Sequence, residues 1–310
     1  MTKNKRLRWI LRGVLLLVVL AGLTLTGLSC AWRHDFYHGG TSHPRDPETG
    51  IMKGAEPVII DRGRDRVVFM LHGWLTTTGD FGELPAAVDE AGWDVHTPLM
   101  PGQGTHPKNL IGKDADDFVN WAREEYDELR ERYDTVLLLG FSTGGALCGI
   151  MSEDDPPHKL VLISPYLGVR YKWYYILPPT WWDAIISPVI PYVGRGDTVH
   201  TVNREEAKDD IPTYTAIPTE TNETVFEIGR RFRENTDPAQ ITCPVLMLLA
   251  PGDDVVDVDL AREFYEKLTN DENALWIAER SNHHILRDYD REEAIERIVE
   301  FVSQQGGGSR

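Results

Sequence analysis

Two hydrophobic patterns divide the chain. Residues 13–31 run for 19 positions without a charge, preceded by the basic side chains Lys3, Lys5, Arg6, Arg8 and Arg12. A run of that length spans a bilayer. Residues 34–54 are polar and carry Gly39, Gly40, Pro44, Pro47 and Gly50, which predicts a linker. From residue 57 onward the pattern changes to short β-prone apolar runs at 57–61, 66–71, 93–97, 136–139 and 159–164, separated by helical stretches such as 80–91. In the stretch 114–133, Phe118, Trp121, Ala122, Tyr126 and Leu129 recur near 3.6-residue spacing, the mark of an amphipathic helix. Strands alternating with helices predict an α/β fold, a mostly parallel sheet with helices on both faces. The alternation stops over 166–240, where Tyr171, Trp173, Tyr174, Tyr175, Trp181 and Trp182 crowd among prolines. This region reads as a cap inserted after the sixth strand, over the C-terminal edge of the sheet where α/β sites lie. Strands at 245–250 and 274–278 and helices at 259–268 and 291–302 then resume the pattern.

The expected organisation is a membrane anchor or signal segment at 1–32, a linker at 33–54, an α/β domain at 55–303 with its cap at about 166–240, and a flexible tail at 304–310. An uncleaved signal anchor is the first reading of the N-terminus, because a secretory apolar region has only about 7–15 residues. Cleavage near Ser29 and Ala31 is the second. Lipidation at Cys30, in the degenerate signal Gly27-Leu28-Ser29-Cys30, is the third. The basic flank favours the cytoplasmic side and so puts the body of a bacterial protein outside the cytoplasm, periplasmic or extracellular.

Composition narrows the classes. At 41% hydrophobic and 26% charged the chain is globular, not disordered. Beyond residue 12 there are 27 basic against 49 acidic side chains, which argues against a nucleic-acid partner. It also argues that membrane attachment is apolar rather than electrostatic. Three cysteines make no disulfide framework, and Cys148 and Cys243 read as small buried residues. No cluster of His, Asp, Glu and Cys has metal-ligand spacing, and no Gly-x-Gly-x-x-Gly opens a helix, so neither metal nor cofactor is expected.

The chemistry gathers where the apolar run 136–139 breaks into Gly140-Phe141-Ser142-Thr143-Gly144 and resumes as a helix. A sharp strand-to-helix turn would hold Ser142 at a strained, exposed tip, with the glycines removing Cβ atoms that would clash. A serine hydroxyl is a poor nucleophile at neutral pH, so a histidine must take its proton and a carboxylate must orient that histidine. Downstream, the strand at 245–250 runs into a turn with Asp253, Asp254 and Asp257, and a later loop carries Ser281-Asn282-His283-His284. Upstream, a strand ends in His72-Gly73, and the next backbone N–H, that of Trp74, is placed to face an oxyanion.

Together these residues resemble the α/β-hydrolase fold, and within it the bacterial carboxylesterase and monoacylglycerol lipase group, over residues 51–302. The resemblance rests on His72-Gly73-Trp74, Pro101-Gly102-Gln103-Gly104, Gly140 to Gly144, Gly252-Asp253-Asp254-Val255-Val256 and Ser281-Asn282-His283. The departures are Gln103 for a usual histidine and Asn282 for a usual glycine. The resemblance selects Ser142 as nucleophile, His283 over His284 as base and Asp253 over Asp254 and Asp257 as acid. It places the oxyanion between the N–H groups of Trp74 and Thr143, and gives His72 a structural role. The implied activity is hydrolysis of carboxylic esters, lipid-like esters such as monoacylglycerols in particular, through an acyl-enzyme. The rivals are an acyltransferase using the same residues and a non-catalytic binding protein on the same scaffold. The aromatics of the cap are candidates for cap core, an acyl tunnel or membrane contact.

Overall fold

The computed structural model describes residues 3–170, 178–188, 190–196 and 201–304. Helix α1 spans Lys3–His38, and its stretch Arg8–His38 is long and apolar enough to cross a membrane. At 1.5 Å per residue its 36 residues extend about 54 Å, well beyond the roughly 30 Å of a bilayer core. The expected linker therefore needs correction. Residues 33–38 continue the helix, Phe36 and Met52 are fully buried, and Arg45 and Met52 form an isolated antiparallel bridge. The polar residues of 34–54 had read as a loose tether. In the fold they follow a surface whose few apolar positions are fixed to the body.

After that bridge come β1 (Val58–Ile60), β2 (Arg66–Leu71), α2 (Leu84–Glu90), β3 (Asp94–Thr97), α3 (Ala115–Arg132), β4 (Thr135–Phe141), α4 (Thr143–Asp154) and β5 (Leu160–Ile163). The inserted region supplies α5 (Pro179–Ile186), β6 (Tyr192–Gly194), β7 (Ala216–Pro218) and α6 (Thr221–Asn235). The chain closes with β8 (Val245–Leu249), α7 (Val258–Tyr265), β9 (Ala274–Ile277) and α8 (Arg291–Ser303). A seven-stranded sheet runs in the order β1-β3-β2-β4-β5-β8-β9, parallel throughout except for the antiparallel pair of β1 with β3.

Alternation along the central strands separates two cores. Val67, Phe69, Leu71, Leu138, Leu162 and Met247 face the layer of α3, α4, α6 and α7, whereas Val68, Met70, Leu139, Ile163 and Leu248 face α2 and α8. Both faces of these strands are covered, which is why they read as continuous apolar runs. Helix α3 starts as its sequence prescribes, with the Asp114 carboxylate accepting from the Asp117 N–H and Asp117 accepting in return from Asp114.

The insertion follows β5, the fifth strand rather than the sixth, because the stretch ahead of β1 forms only the Arg45–Met52 bridge. Nor is it all cap. Val225, Ile228 and Phe232 lie on one face of α6, Ile228 and Phe232 join the main core, and a Cβ on Gly149 of α4 would lie 2.1 Å from the Phe232 ring. Glycine at that position lets the two helices touch. The antiparallel pair β6–β7 stands apart from the main sheet. Residues 171–177, and with them Tyr171, Trp173, Tyr174 and Tyr175, lie outside the described residues, as does the tail from 305.

Candidate active site

The serine turn is built by its glycines. Ser142 has φ 53°, a left-handed value that costs a non-glycine residue of order 1 kcal/mol, and it leads directly into α4. A Cβ on Gly144 would sit 2.0 Å from the Leu71 carbonyl oxygen, and one on Gly140 2.4 Å from that of Gly144. Only bare backbone lets α4 pass so close to β2 and β4. The Ser142 N–H donates to the Ile163 carbonyl at 2.9 Å, and its own carbonyl accepts from Tyr166 at 3.0 Å, so the strain is held in place from β5.

Three loops at the C-terminal edge of the sheet then converge. Ser142 Oγ lies 3.0 Å from His283 Nε2, and His283 Nδ1 lies 2.7 Å from Asp253 Oδ2. All three side chains are buried. Asp253 Oδ1 accepts from the N–H groups of Val255 at 2.8 Å and Val256 at 2.9 Å. Burial pushes the Asp253 carboxyl upward, but the charge of His283, its hydrogen bond and the two N–H groups together hold it below the usual carboxylate value. The competing carboxylates have other partners. Asp254 accepts from Asn282 Nδ2 at 3.2 Å with its side chain 55% exposed, and Asp257 caps α7 by accepting from Asp259 and Leu260. His284 turns away from the serine. Its Nδ1 lies 2.8 Å from Thr201 Oγ1 and its Nε2 3.4 Å from Asp80 Oδ1.

Opposite the serine, His72 accepts the Met100 N–H on Nε2 at 3.1 Å, which leaves the proton on Nδ1 to donate to the Gly73 carbonyl at 2.9 Å. Complete burial keeps this imidazole below its ordinary pKa, so it is a neutral strut. The N–H of Thr143, the first residue of α4, has no carbonyl a turn earlier to bond. Trp74 packs its ring on Phe118 at 5.0 Å and precedes Leu75, which has φ 56°. The Leu75 N–H donates to Gln103 Oε1 at 2.8 Å. The departure at Gln103 thus ties the 101–104 loop to the backbone beside Trp74.

Sequence reasoning left three supports unread. Asn282, the other departure, accepts on Oδ1 from the N–H groups of Asp254 and His283, joining the Asp253 and His283 loops. Asp288, fully buried, accepts from the N–H groups of Asn282, Asn203, Arg204 and Tyr289 and so fastens the His283 loop to the inserted region. Arg170 donates to the Asp253 carbonyl oxygen. The sequence marks Asn282 only as a departure, and Asp288 has a signal in its place five residues after the histidine.

Trp181 and Trp182 of the cap helix α5 are not among the described residues that line the large cavity beside it. Thr180, Asp183, Ala184 and Ser187 face a 1510 Å³ cavity whose other walls include Tyr166, Phe226 and Arg230, whereas Trp181 and Ile185 are 62% and 56% exposed. That cavity is lined by Tyr166, Leu167, Val169 and Phe226 as well as by Asp116, Glu227 and Arg230, and Ser142 is not among its described lining residues.

Residues 63–290 match the hydrolase family described as Hydrolase_4, serine aminopeptidase, S33. The chain belongs to this family. Among its relatives, a carboxylesterase of Bacillus subtilis is 21% identical over 244 residues, covering 78% of this chain and 94% of that protein. A thermostable monoacylglycerol lipase of Bacillus sp. strain H-257 is 25% identical over 263 residues, covering 83% of this chain and 98% of that protein. In fold, the chain is similar to a structure from work on the metagenome-derived lipolytic enzymes LipS and LipT, with TM-score 0.72, 23% identity, and coverage of 82% of this chain and all of the other. The monoacylglycerol lipase of Paleococcus ferrophilus gives TM-score 0.65 at 19% identity, over 80% of this chain and 97% of that one. The family match begins at residue 63, after α1 and β1, and so does not extend over the N-terminal helix.

Proposed function

We propose that the chain is a membrane-anchored carboxylic ester hydrolase acting on lipid-like acyl esters such as monoacylglycerols, with Ser142 as nucleophile, His283 as base and Asp253 as the group that orients it. The observation that carries this reading is the line of contacts from Ser142 Oγ to His283 Nε2 at 3.0 Å and from His283 Nδ1 to Asp253 Oδ2 at 2.7 Å. His283 takes the hydroxyl proton as Ser142 Oγ attacks the ester carbonyl. Asp253 stabilises the imidazolium so formed. The N–H groups of Trp74 and Thr143 receive the oxyanion. The proton passes from His283 to the leaving alcohol, water enters, and the same residues hydrolyse the acyl-enzyme.

The lipid preference rests on the relatives' activities and on the outward aromatic face of α5. Trp181, Trp182 and Ile185 suit contact with a lipid surface better than the lining of a tunnel. In this reading α1 is the anchor, and the basic side chains Lys5, Arg8 and Arg12 at its start support a body on the non-cytoplasmic side of a bacterial membrane. The test is a kcat/KM profile over esters of graded acyl length, with and without an acceptor alcohol, and against an aminoacyl amide. The reading expects ester cleavage to rise from acetyl towards medium chains, with water as the acceptor. A decline from acetate onward would leave a small-ester esterase. Product carried by the alcohol would make it a transferase, and faster amide cleavage a peptidase.

A further inference from the structure

The C-terminal turns of α1 dock on the body at two places. On the inserted region, Asp35 Oδ2 accepts from Thr215 Oγ1 at 2.7 Å, the Gly40 carbonyl accepts from the Thr215 N–H at 3.1 Å, and the Ser42 N–H donates to the Thr213 carbonyl at 2.9 Å. Trp32 lies flat enough on β6 that a Cβ on Gly194 would come within 2.3 Å of its indole nitrogen. On the other side, fully buried Phe36 packs between Tyr192 of β6, ring centres 4.9 Å apart, and His106 at 5.6 Å. Gly40, at φ 70°, passes so close to Pro107 that a Cβ would meet its ring at 2.6 Å.

Each docking place leads to Leu75. After Gly194, the Arg195 N–H bonds the Thr215 carbonyl at 2.7 Å, and Arg195 Nη1 donates to the Leu75 carbonyl oxygen at 3.3 Å. A few residues before His106 and Pro107, Gln103 Oε1 accepts the Leu75 N–H. Leu75 thus has its N–H and its carbonyl held from opposite sides, by two segments that α1 itself braces. It needs holding, because φ 56° is unfavourable for a leucine, and it is bonded directly to Trp74, whose N–H lies one peptide upstream.

We infer that Trp32, Asp35 and Phe36 are positioning residues for the reaction: the end of the N-terminal helix clamps Arg195 and the 101–107 loop, and through them fixes Leu75 and the Trp74 N–H that receives the oxyanion. The inference rests on the assignment of Ser142 and Trp74 above. It makes α1 part of the catalytic architecture as well as a tether, and because docking begins at Trp32, immediately after the apolar run, the body sits flush with whatever surface α1 enters.

The test uses the full chain in detergent micelles and a short, water-soluble acetyl ester, whose turnover does not depend on acyl-chain contacts. Trp32→Ala with Phe36→Ala should lower kcat about tenfold, the scale of a partly misplaced oxyanion donor, with little change in KM. Arg195→Met should lower kcat in the same way, and combining all three should cost clearly less than the product of the separate losses. Phe36→Leu, which keeps an apolar side chain in place, should retain most of kcat. Should the Trp32 and Phe36 pair fail to fold, Asp35→Asn combined with Arg195→Met gives the same cycle with milder changes. An unchanged kcat with a lower unfolding temperature would make α1 a merely structural prop and overturn the inference, as would fully multiplicative losses. Parent activity that survives Ser142→Ala would instead overturn the assignment of the serine, a result the cycle cannot mimic.

Discussion

The rim that carries Ser142, Asp253 and His283 and the inserted region above it are held in different ways. On the rim, all three side chains are buried and have specific partners: Asp253 accepts two N–H groups besides the imidazole, and the His283 loop hangs on Asp288 and Asn282. Apart from α6, which joins the main core, the described residues of the inserted region form two three-residue strands paired with each other and a helix whose Trp181 and Ile185 are exposed, with support from α1 through Asp35. The contrast separates two demands. Proton transfer needs sub-ångström placement, which buried charge-assisted bonds supply. If the substrate is a lipid ester, as proposed, its delivery needs a surface that meets lipid, and such a surface cannot also be buried.

The sharpest way to break this division is at the paired carboxylates. Asp253→Asn should reduce kcat by about 10⁴, since the amide would favour the wrong imidazole tautomer, whereas Asp254→Asn should change it by less than about fivefold. Steady-state rates on one ester decide it. Equal losses would mean that the buried partner set of Asp253 does not mark the working acid.

A second prediction concerns the bolt between the two regions. Asp288→Ala leaves four N–H groups short of an acceptor, at about 1–3 kcal/mol for each that stays buried, so a net loss of about 3 kcal/mol is expected. Thermal unfolding should show Tm lower by about 6–12 °C. A loss under about 1 °C would show that the two regions are not joined there.

The cap face should give a smaller effect, confined to lipid. Trp181→Ala with Trp182→Ala should leave acetyl-ester turnover unchanged and slow cleavage of a vesicle-borne monoacylglycerol by about three- to tenfold, from lost apolar and interfacial contact. Equal slowing on both substrates would return these side chains to the fold.

The smallest effect is on pH. His72 is buried neutral with its pKa lowered, so the unfolded chain binds the proton first, and the stability this group contributes is complete above about 6.5 and is lost as pH falls through its lowered value. The carboxylate of Asp253, also lowered, adds a second loss only below about 4. Denaturant titrations from pH 7.5 to 5 should show declining stability in the parent and a shallower decline in His72→Gln.

The sheet and the serine turn were legible because each obeys a local rule. Strands covered on both faces spell apolar runs, and the serine turn needs glycine at 140 and 144 for reasons of contact distance alone. Choosing Asp253 over Asp254 took a family pattern, since both follow the same strand and only tertiary partners tell them apart. What stayed hidden depends on contacts distant in sequence. Phe36 meets Tyr192, Arg195 meets Leu75, and α6 looked like part of a cap until its apolar face was placed on α4. The 34–54 segment misled because a few buried positions among many polar ones carry no periodicity.

The central claim, that Ser142 is the nucleophile of an acyl-enzyme set up by His283 and Asp253, is most directly tested by reacting the full chain with a fluorophosphonate and mapping the adduct by mass spectrometry. The account predicts one adduct, on Ser142, absent in Ser142→Ala and formed far more slowly in Asp253→Asn. An adduct on any other residue, or undiminished labelling of the Ser142→Ala chain, would contradict it.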